Sequence, residues 1–342
     1  MDEGFLVGSG SRESSVGRRP ETFRVNGDRG FFLLADIGGS QTRLGVGNLS
    51  GRILGAVDIY MDVNKGPKVV LPTVIDGWER LADRCGVPLK SVMSAAVGVP
   101  GPVDLATGRI SRPPMMIGWD EFDVGAVIRE TLGMPTIVDK DTNFMAMGEL
   151  VSRRGVKEML VLKVGMGIGA GIVSRGGLVR GAHGAAGDLG HLPGRNNRPC
   201  RCGQIGCVEA TAGGWAIAER LRDAGYSVYS SADIVALGQK RDPLVLEELR
   251  AAGREIGQVA SDAVGLMNPE VVVIGGNLAL ASDSLISGVR QSIFERSHPL
   301  ASKDLQVVLS TLKENAGLRG AIVLAFDLVF SPDLLRAGGA RS

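Results

Sequence analysis

At 342 residues the chain is long enough for two domains that share a cleft. A formal net charge of +1 at 44% hydrophobic content offers nothing to a polyanion, which argues against nucleic acid and membrane surfaces as partners. There is no apolar run of roughly 18 residues for a transmembrane helix and no basic-then-apolar leader. Three of the four cysteines are clustered, a cytoplasmic pattern rather than a disulfide framework.

Residues 1–30 are polar, glycine-rich and aperiodic, and predict a flexible tail. Residues 31–47, F-F-L-L-A-D-I-G-G-S-Q-T-R-L-G-V-G, read as two short strands joined by a tight Gly38-Gly39 turn. The turn carries Asp36, Ser40 and Thr42 beside bare backbone N–H groups that a phosphate can approach, although an ordinary hairpin would read the same way. An apolar run follows at 53–59. Residues 73–85 then carry Val74, Trp78, Leu81 and Cys85 at helical steps, with Cys85 as a core residue. A strand at 92–99 runs into G-V-P-G-P-V-D, residues 98–104, a loop at the strand edge where open α/β sheets bind ligands. A helix is expected over 122–132, ending at Gly133. A strand at 135–138 runs into D-K-D-T-N, residues 139–143, and another helix. Asp141 at this junction suits a helix N-cap and a general base alike.

A strand at 159–164 leads into a second glycine hairpin, V-G-M-G-I-G-A-G-I-V, residues 164–173. Two such hairpins roughly 130 residues apart suggest a duplicated architecture, each half donating a phosphate loop to one cleft. Neither a P-loop nor a dinucleotide fingerprint is present. Cys200, Cys202 and Cys207 fall within eight residues, with His191 nine residues upstream of the first. Three thiolates and one imidazole make a closed tetrahedral zinc site, with His183 as the alternative fourth ligand, and Gly203 and Gly206 permit the tight loop. A disulfide would leave an odd thiol. Asp188 and Glu209 flank this loop, placed for sugar hydroxyls or as surface acids. An apolar stripe over 246–267 predicts a helix stopped at Asn268-Pro269. A buried strand at 271–274 then enters Gly275-Gly276-Asn277, a turn before a helix that could admit an adenosine. A last strand is expected at 305–309, and a closing helix at 317–330 that packs back on the first domain.

Together these pieces resemble the ROK family (repressors, open reading frames and sugar kinases) within the actin, hexokinase and heat-shock ATPase fold. The resemblance covers nearly everything from Phe31 to about Phe330. Its matching pieces are D-I-G-G-S at Asp36, G-V-P-G-P-V-D at Gly98, D-x-N at Asp141, G-x-G-I-G-x-G at Gly165, G-D-L-G-H at Gly187, C-x-C-G-x-x-G-C-x-E at Cys200 and N-P-E-V-V-V-I-G-G at Asn268. The zinc motif with its upstream Gly-His is the most specific. The resemblance implies an α/β, two-lobed actin-like ATPase (ribonuclease H-like) fold, with duplicated βββαβα-type domains around a central cleft and a zinc loop at 187–209. The implied organisation is a tail at 1–30, a small lobe at 31–141 joined by the closing helix at about 317–330, a large lobe at 142–316, and a C-terminal tail at 331–342.

The implied activity is ATP-dependent phosphorylation of the 6-hydroxyl of a hexose, glucose-like or an amino-hexose such as kanosamine. Asp141 would be the general base. Asp36, Gly38, Gly39, Ser40 and Thr42 would cradle phosphate and hydrated Mg2+. Gly165, Gly167 and Gly169 would do so from the other lobe, and Gly275 and Gly276 would lie by the adenosine of ATP. Gly101, Lys140, Asn143, Asp188, His191 and Glu209 would border the sugar, with His191 also on Zn2+ beside Cys200, Cys202 and Cys207. A homodimer is expected from the resemblance alone. The chain departs from the family at four positions around the cleft. It has Lys140 where Asn is usual, Met166 where Thr is usual, Asp188 where Glu is usual, and Met115-Met116 where Asn-Leu is usual. An ammonium at 140 would lower the Asp141 pKa or repel a sugar amine if it faces the site. These departures leave room for a second class of function, a catalytically weak or silent sugar-binding sensor. A DNA-binding role is not expected, because no helix-turn-helix pattern precedes Phe31.

Overall fold

The structure is a computed structural model and describes residues 4–11, 21–114 and 116–330. The chain opens with an antiparallel pair, β1 (Leu6–Ser11) and β2 (Glu21–Val25). This corrects the expectation of a flexible tail over the described part of 1–30. The runs F-L-V and T-F-R-V are short β segments hidden in a polar, glycine-rich composition. Phe5 anchors them, its ring meeting Phe330 edge-on at 5.9 Å.

The first large sheet is built from β3 (Phe31–Ile37), β4 (Gln41–Asn48), β5 (Ile53–Tyr60), β6 (Val92–Val99) and β7 (Thr136–Lys140). Its order is β5-β4-β3-β6-β7, antiparallel up to β3 and parallel beyond it. β3 reads as an unbroken apolar run because both of its faces are buried. Leu33, Ala35 and Ile37 face α1 (Pro67–Arg84) and α2 (Val124–Leu132), while Phe32 and Leu34 face the other way. Trp78 of α1 seals the outer core, its indole N–H donating to the Leu34 carbonyl at 2.8 Å. α1 begins six residues before the expected start, with Pro67 in its first turn. Cys85 caps α1 and packs against this core.

After β7 comes α3 (Asp141–Ser152), then β8 (Met159–Val164), β9 (Ile168–Ser174) and β10 (Gly177–Val179). α4 (Glu209–Ala212), α5 (Gly214–Asp223), α6 (Ser231–Gln239) and α7 (Pro243–Met267) precede β11 (Val271–Gly275). α7 ends where expected, with Asn268 in the left-handed region. A short 3-10 turn, not a helix, follows Gly275-Gly276, and then come α8 (Asp283–Arg296), α9 (Pro299–Ser302), β12 (Gln306–Leu309) and α10 (Ala316–Phe330). The second sheet has the order β10-β9-β8-β11-β12, the same pattern of three antiparallel strands followed by two parallel ones. Among the described residues no helix is long and apolar enough to cross a membrane.

α3 and α10 form the layer between the sheets. Phe144 of α3 and Leu318 and Ile322 of α10 pack on the first sheet, and Met145, Ala146 and Ala316 pack on the second. The two helices touch through bare backbone. A Cβ on Gly148 would run into the Ala316 carbonyl, and one on Gly320 into the Phe144 carbonyl. Gly265 of α7, by contrast, has open space around it. Gly320→Ala should therefore destabilise the protein by about 1–3 kcal/mol through overpacking, while Gly265→Ala should be neutral or stabilising by up to about 1 kcal/mol. Urea unfolding of the two variants checks this; equal effects would contradict the contact.

Candidate active site

The two sheets enclose a cleft of about 490 Å3. From the first sheet Asp36 and the turn Gly38, Gly39 and Ser40 border it, with Gly101 on the next loop. From the second come Gly165, Gly167 and Gly169, and the Gly275-Gly276 turn of β11. The two glycine turns oppose each other closely, so that a Cβ on Gly39 would lie 4.0 Å from the Met166 Cβ. The Gly165 and Met166 carbonyls accept from the backbone N–H groups of Gly214 and Trp215 at 3.0 and 3.1 Å, which fixes the second turn on the start of α5.

Asp141 lines the cleft as the first residue of α3, and Lys140 holds the cap position. It is therefore not the helix cap. Its Oδ2 accepts from the Lys163 ammonium at 2.9 Å, and the same ammonium reaches Asp36 Oδ1 at 3.1 Å and Oδ2 at 3.4 Å. Burial pushes the Asp141 carboxyl above its usual range; Lys163 opposes this and Asp36 adds to it. Burial alone would lower the Lys163 pKa, but Asp141 and Asp36 outweigh it and hold the ammonium well above its ordinary value.

Lys140 also lines the cleft and is buried. Its ammonium donates to the Ala186 carbonyl, in the loop that carries Asp188. Burial lowers its pKa, and Asp188, Asp141 and Asp139 pull it back. Behind it Asp139 accepts from the Asn143 amide at 2.6 Å and from Arg180 Nε at 2.7 Å. Asn143 is thus buried against Asp139 and does not border the cleft, contrary to its expected place by the sugar. Thr42 is displaced for a similar reason. Strand alternation sends Gln41 and Arg43 to the cleft and turns Thr42 into the core.

The cysteine loop closes as its spacing predicts. The ligand atoms of His191, Cys200, Cys202 and Cys207 lie within 4.8 Å of one another. The Cys200 Sγ to His191 Nδ1 and Cys202 Sγ to Cys207 Sγ separations are both 3.6 Å. His183 is not among them. Gly203 and Gly206 take φ of 89° and 87°, the left-handed turns the loop requires. Burial, then the neighbouring Cys202 and Cys200, push the Cys207 thiol up to about 12, a cost that a cation among the sulfurs relieves. The donor set and spacing fit a metal ion such as zinc, which a tetrahedral site binds at about 2.3 Å from sulfur. Glu209 follows directly and is buried, not solvated. Its Oε2 accepts from Ile168 N at 2.7 Å and its Oε1 from the Trp215 indole at 3.2 Å, tying β9 to α5. Glu209, His191, Cys202 and the exposed Asp188 all border the cleft.

The space between Asp36 and Asp141 is taken by the Lys163 ammonium, which both Asp36 oxygens and one Asp141 oxygen face. An Mg2+ ion coordinated directly by both carboxylates, at about 2.0–2.1 Å, does not fit there as they stand. Lys163 and the start of α10 are the parts of the site that sequence reasoning missed. A Cβ on Gly317 would strike Asp36, so this helix end abuts the carboxylate. The signal for Lys163 was available: it is a lone cation in an apolar strand, on the face of Met159 and Val161, directly before a glycine turn. Met115 lies outside the described residues, and Met116 is buried in the first core.

The ROK family model matches residues 33–327. A glucokinase of Halalkalibacterium halodurans is 26% identical over 85% of this chain and 93% of its own length. A putative xylose repressor of a Caldicellulosiruptor species is 25% identical over 97% of this chain and 88% of its own. The structure of a ROK hexokinase from Thermus thermophilus superposes with a TM-score of 0.67 at 29% identity, covering 86% of this chain and 98% of that one. With two mixed sheets enclosing a cleft bordered by these glycine turns, and a family match over most of its length, the chain belongs to the ROK family and has the actin-like ATPase fold of its sugar kinases.

Proposed function

We propose that this protein is an ATP-dependent sugar kinase that phosphorylates the 6-hydroxyl of a hexose or amino-hexose. The observation that carries this reading is the opposition of two glycine turns across one cleft, with Asp141 on the cleft wall at the start of α3. In this reading the Asp141 carboxylate accepts the proton of the sugar hydroxyl. The sugar oxygen forms a bond to the γ-phosphorus as the bond to the β–γ bridging oxygen breaks, and ADP leaves. The protein's contribution is positioning and charge stabilisation. Glu209, Asp188, His191 and Gly101 would contact the sugar, and the Gly275-Gly276 turn would lie by the adenosine. The cysteine loop would hold a structural zinc that fixes His191 and the start of α4, without taking part in the chemistry.

A second reading, a sugar-sensing protein without turnover, is favoured by one specific observation. The Lys163 ammonium already sits on the candidate base. The xylose repressor relative, which matches over 97% of the chain, is consistent with that reading.

Incubation with ATP, Mg2+ and a panel of hexoses and amino-hexoses, followed by ADP release, separates the two. Turnover reduced about 10^2- to 10^4-fold by Asp141→Asn is expected for the kinase. Sugar binding without turnover on any member would establish the sensor instead. Metal analysis of the purified chain should find about one zinc per molecule, lost in Cys207→Ser together with a lower Tm. Absence of zinc from the freshly purified protein would refute the structural zinc.

A further inference from the structure

Lys163 stands at the C-terminal end of β8, on the face that carries Met159 and Val161 against α3. Its partners across the neighbouring strands are Gly169 and Gly275, both at the cleft. The sheet itself therefore places no side chain beside the lysine across either strand; Thr142 and Met145 of α3 lie over the two glycines, and the lysine stem runs beneath α3 toward the two glycine turns. There the ammonium, reaching from the second sheet, bridges Asp36 at the end of β3 and Asp141 at the start of α3. An ammonium has three N–H donors, and three carboxylate oxygens engage it here; the contact to Asp36 Oδ2 at 3.4 Å is the longest, and it is the one a further acceptor would replace. The Lys163 side chain keeps 23% of its surface exposed, so a further acceptor can reach it from the cleft.

The surroundings favour an anion as that acceptor. Across the cleft lining five Lys and Arg side chains balance five Asp and Glu, Asp188 beside Lys140 included, and the N-termini of α3 and α10, which both open at this spot, add partial positive charge. The Lys163 ammonium occupies the oxygens that a bridging divalent ion would need.

We propose that Lys163 is a resident cation that binds the terminal phosphates of the nucleotide directly, so that nucleotide affinity in this cleft does not depend on a divalent metal. The inference rests on the reading of the cleft as a nucleotide site, but not on turnover. Lys163 would thus stand between the two proposed roles, serving as the phosphate ligand in either.

The test is calorimetric titration of the full chain with ATP and with ADP, in Mg2+ and in EDTA. Wild-type affinity should change less than about 3-fold between the two buffers. Lys163→Met should weaken binding in EDTA by about 10- to 100-fold, the range of a charge-assisted hydrogen bond. The same variant should recover much of that loss in Mg2+, since it exposes two carboxylates to the ion. Lys163→Arg should stay near wild type in EDTA. The double variant Lys163→Met with Asp36→Asn guards against misfolding from two unpaired acids, and should bind ATP weakly in both buffers. Wild-type binding that vanishes in EDTA, or Lys163→Met binding as wild type there, would overturn the proposal alone. Failure to bind either nucleotide in both buffers would overturn the nucleotide reading and this inference with it.

Discussion

The structure depends on how closely α3 and α10 approach. Their backbones touch at Gly148 and Gly320, where no side chain fits, and the pair forms the layer on which both sheets rest. Interior packing tolerates little added volume, so this contact sets the spacing of the two halves. It also brings Asp141 at the start of α3 and Gly317 at the start of α10 to the same end of the cleft, beside Asp36. The site is therefore a product of helix packing as much as of the glycine turns.

At that end the electrostatics are concentrated in one ammonium. Lys163 is held charged by Asp36 and Asp141, and in turn makes it possible for two buried or half-buried carboxylates to stand close together. Lys140 plays a different part. It faces the cleft, but its ammonium is engaged by the Ala186 carbonyl, so it fastens the loop carrying Asp188 rather than confronting a sugar amine directly. Asp139 and Arg180 brace the same junction from behind. Of the departures from the family pattern, Lys140 and Asp188 are thus coupled through this loop, whereas Met116 is buried in the first core and Met166 packs by the cysteine cluster. With Lys163, Lys140 places two protein ammonium groups around the candidate base.

Much of this architecture was legible in the sequence. Gly-Gly turns after apolar runs, the strands of both sheets and the cysteine spacing each rest on local chemistry, and the strands over 92–99 and 159–164 match the structure residue for residue. What escaped was non-local or a matter of facing. Asn143 and Thr42 sit in the right segments but on the wrong faces, because one residue along a helix or strand turns a side chain from cleft to core. The N-terminal strand pair was hidden by polar, glycine-rich composition, and it is held by Phe5 meeting a ring more than three hundred residues away. The abutment of Gly317 on Asp36 has no sequence signal at all. Lys163 had one, an isolated cation on an apolar strand face, whose meaning depends on Asp36 and Asp141 converging from elsewhere.

The most direct measurement is a crystal structure of the full chain with a hexose and a non-hydrolysable ATP analogue. A terminal phosphate oxygen is expected about 3 Å from Lys163 Nζ, with the sugar's primary hydroxyl on Asp141, between the Gly38-Gly39 and Gly165–Gly167 turns. Phosphates bound elsewhere with Lys163 still locked on Asp36 and Asp141, or a cleft that holds sugar but no nucleotide at saturating concentration, would contradict that expectation.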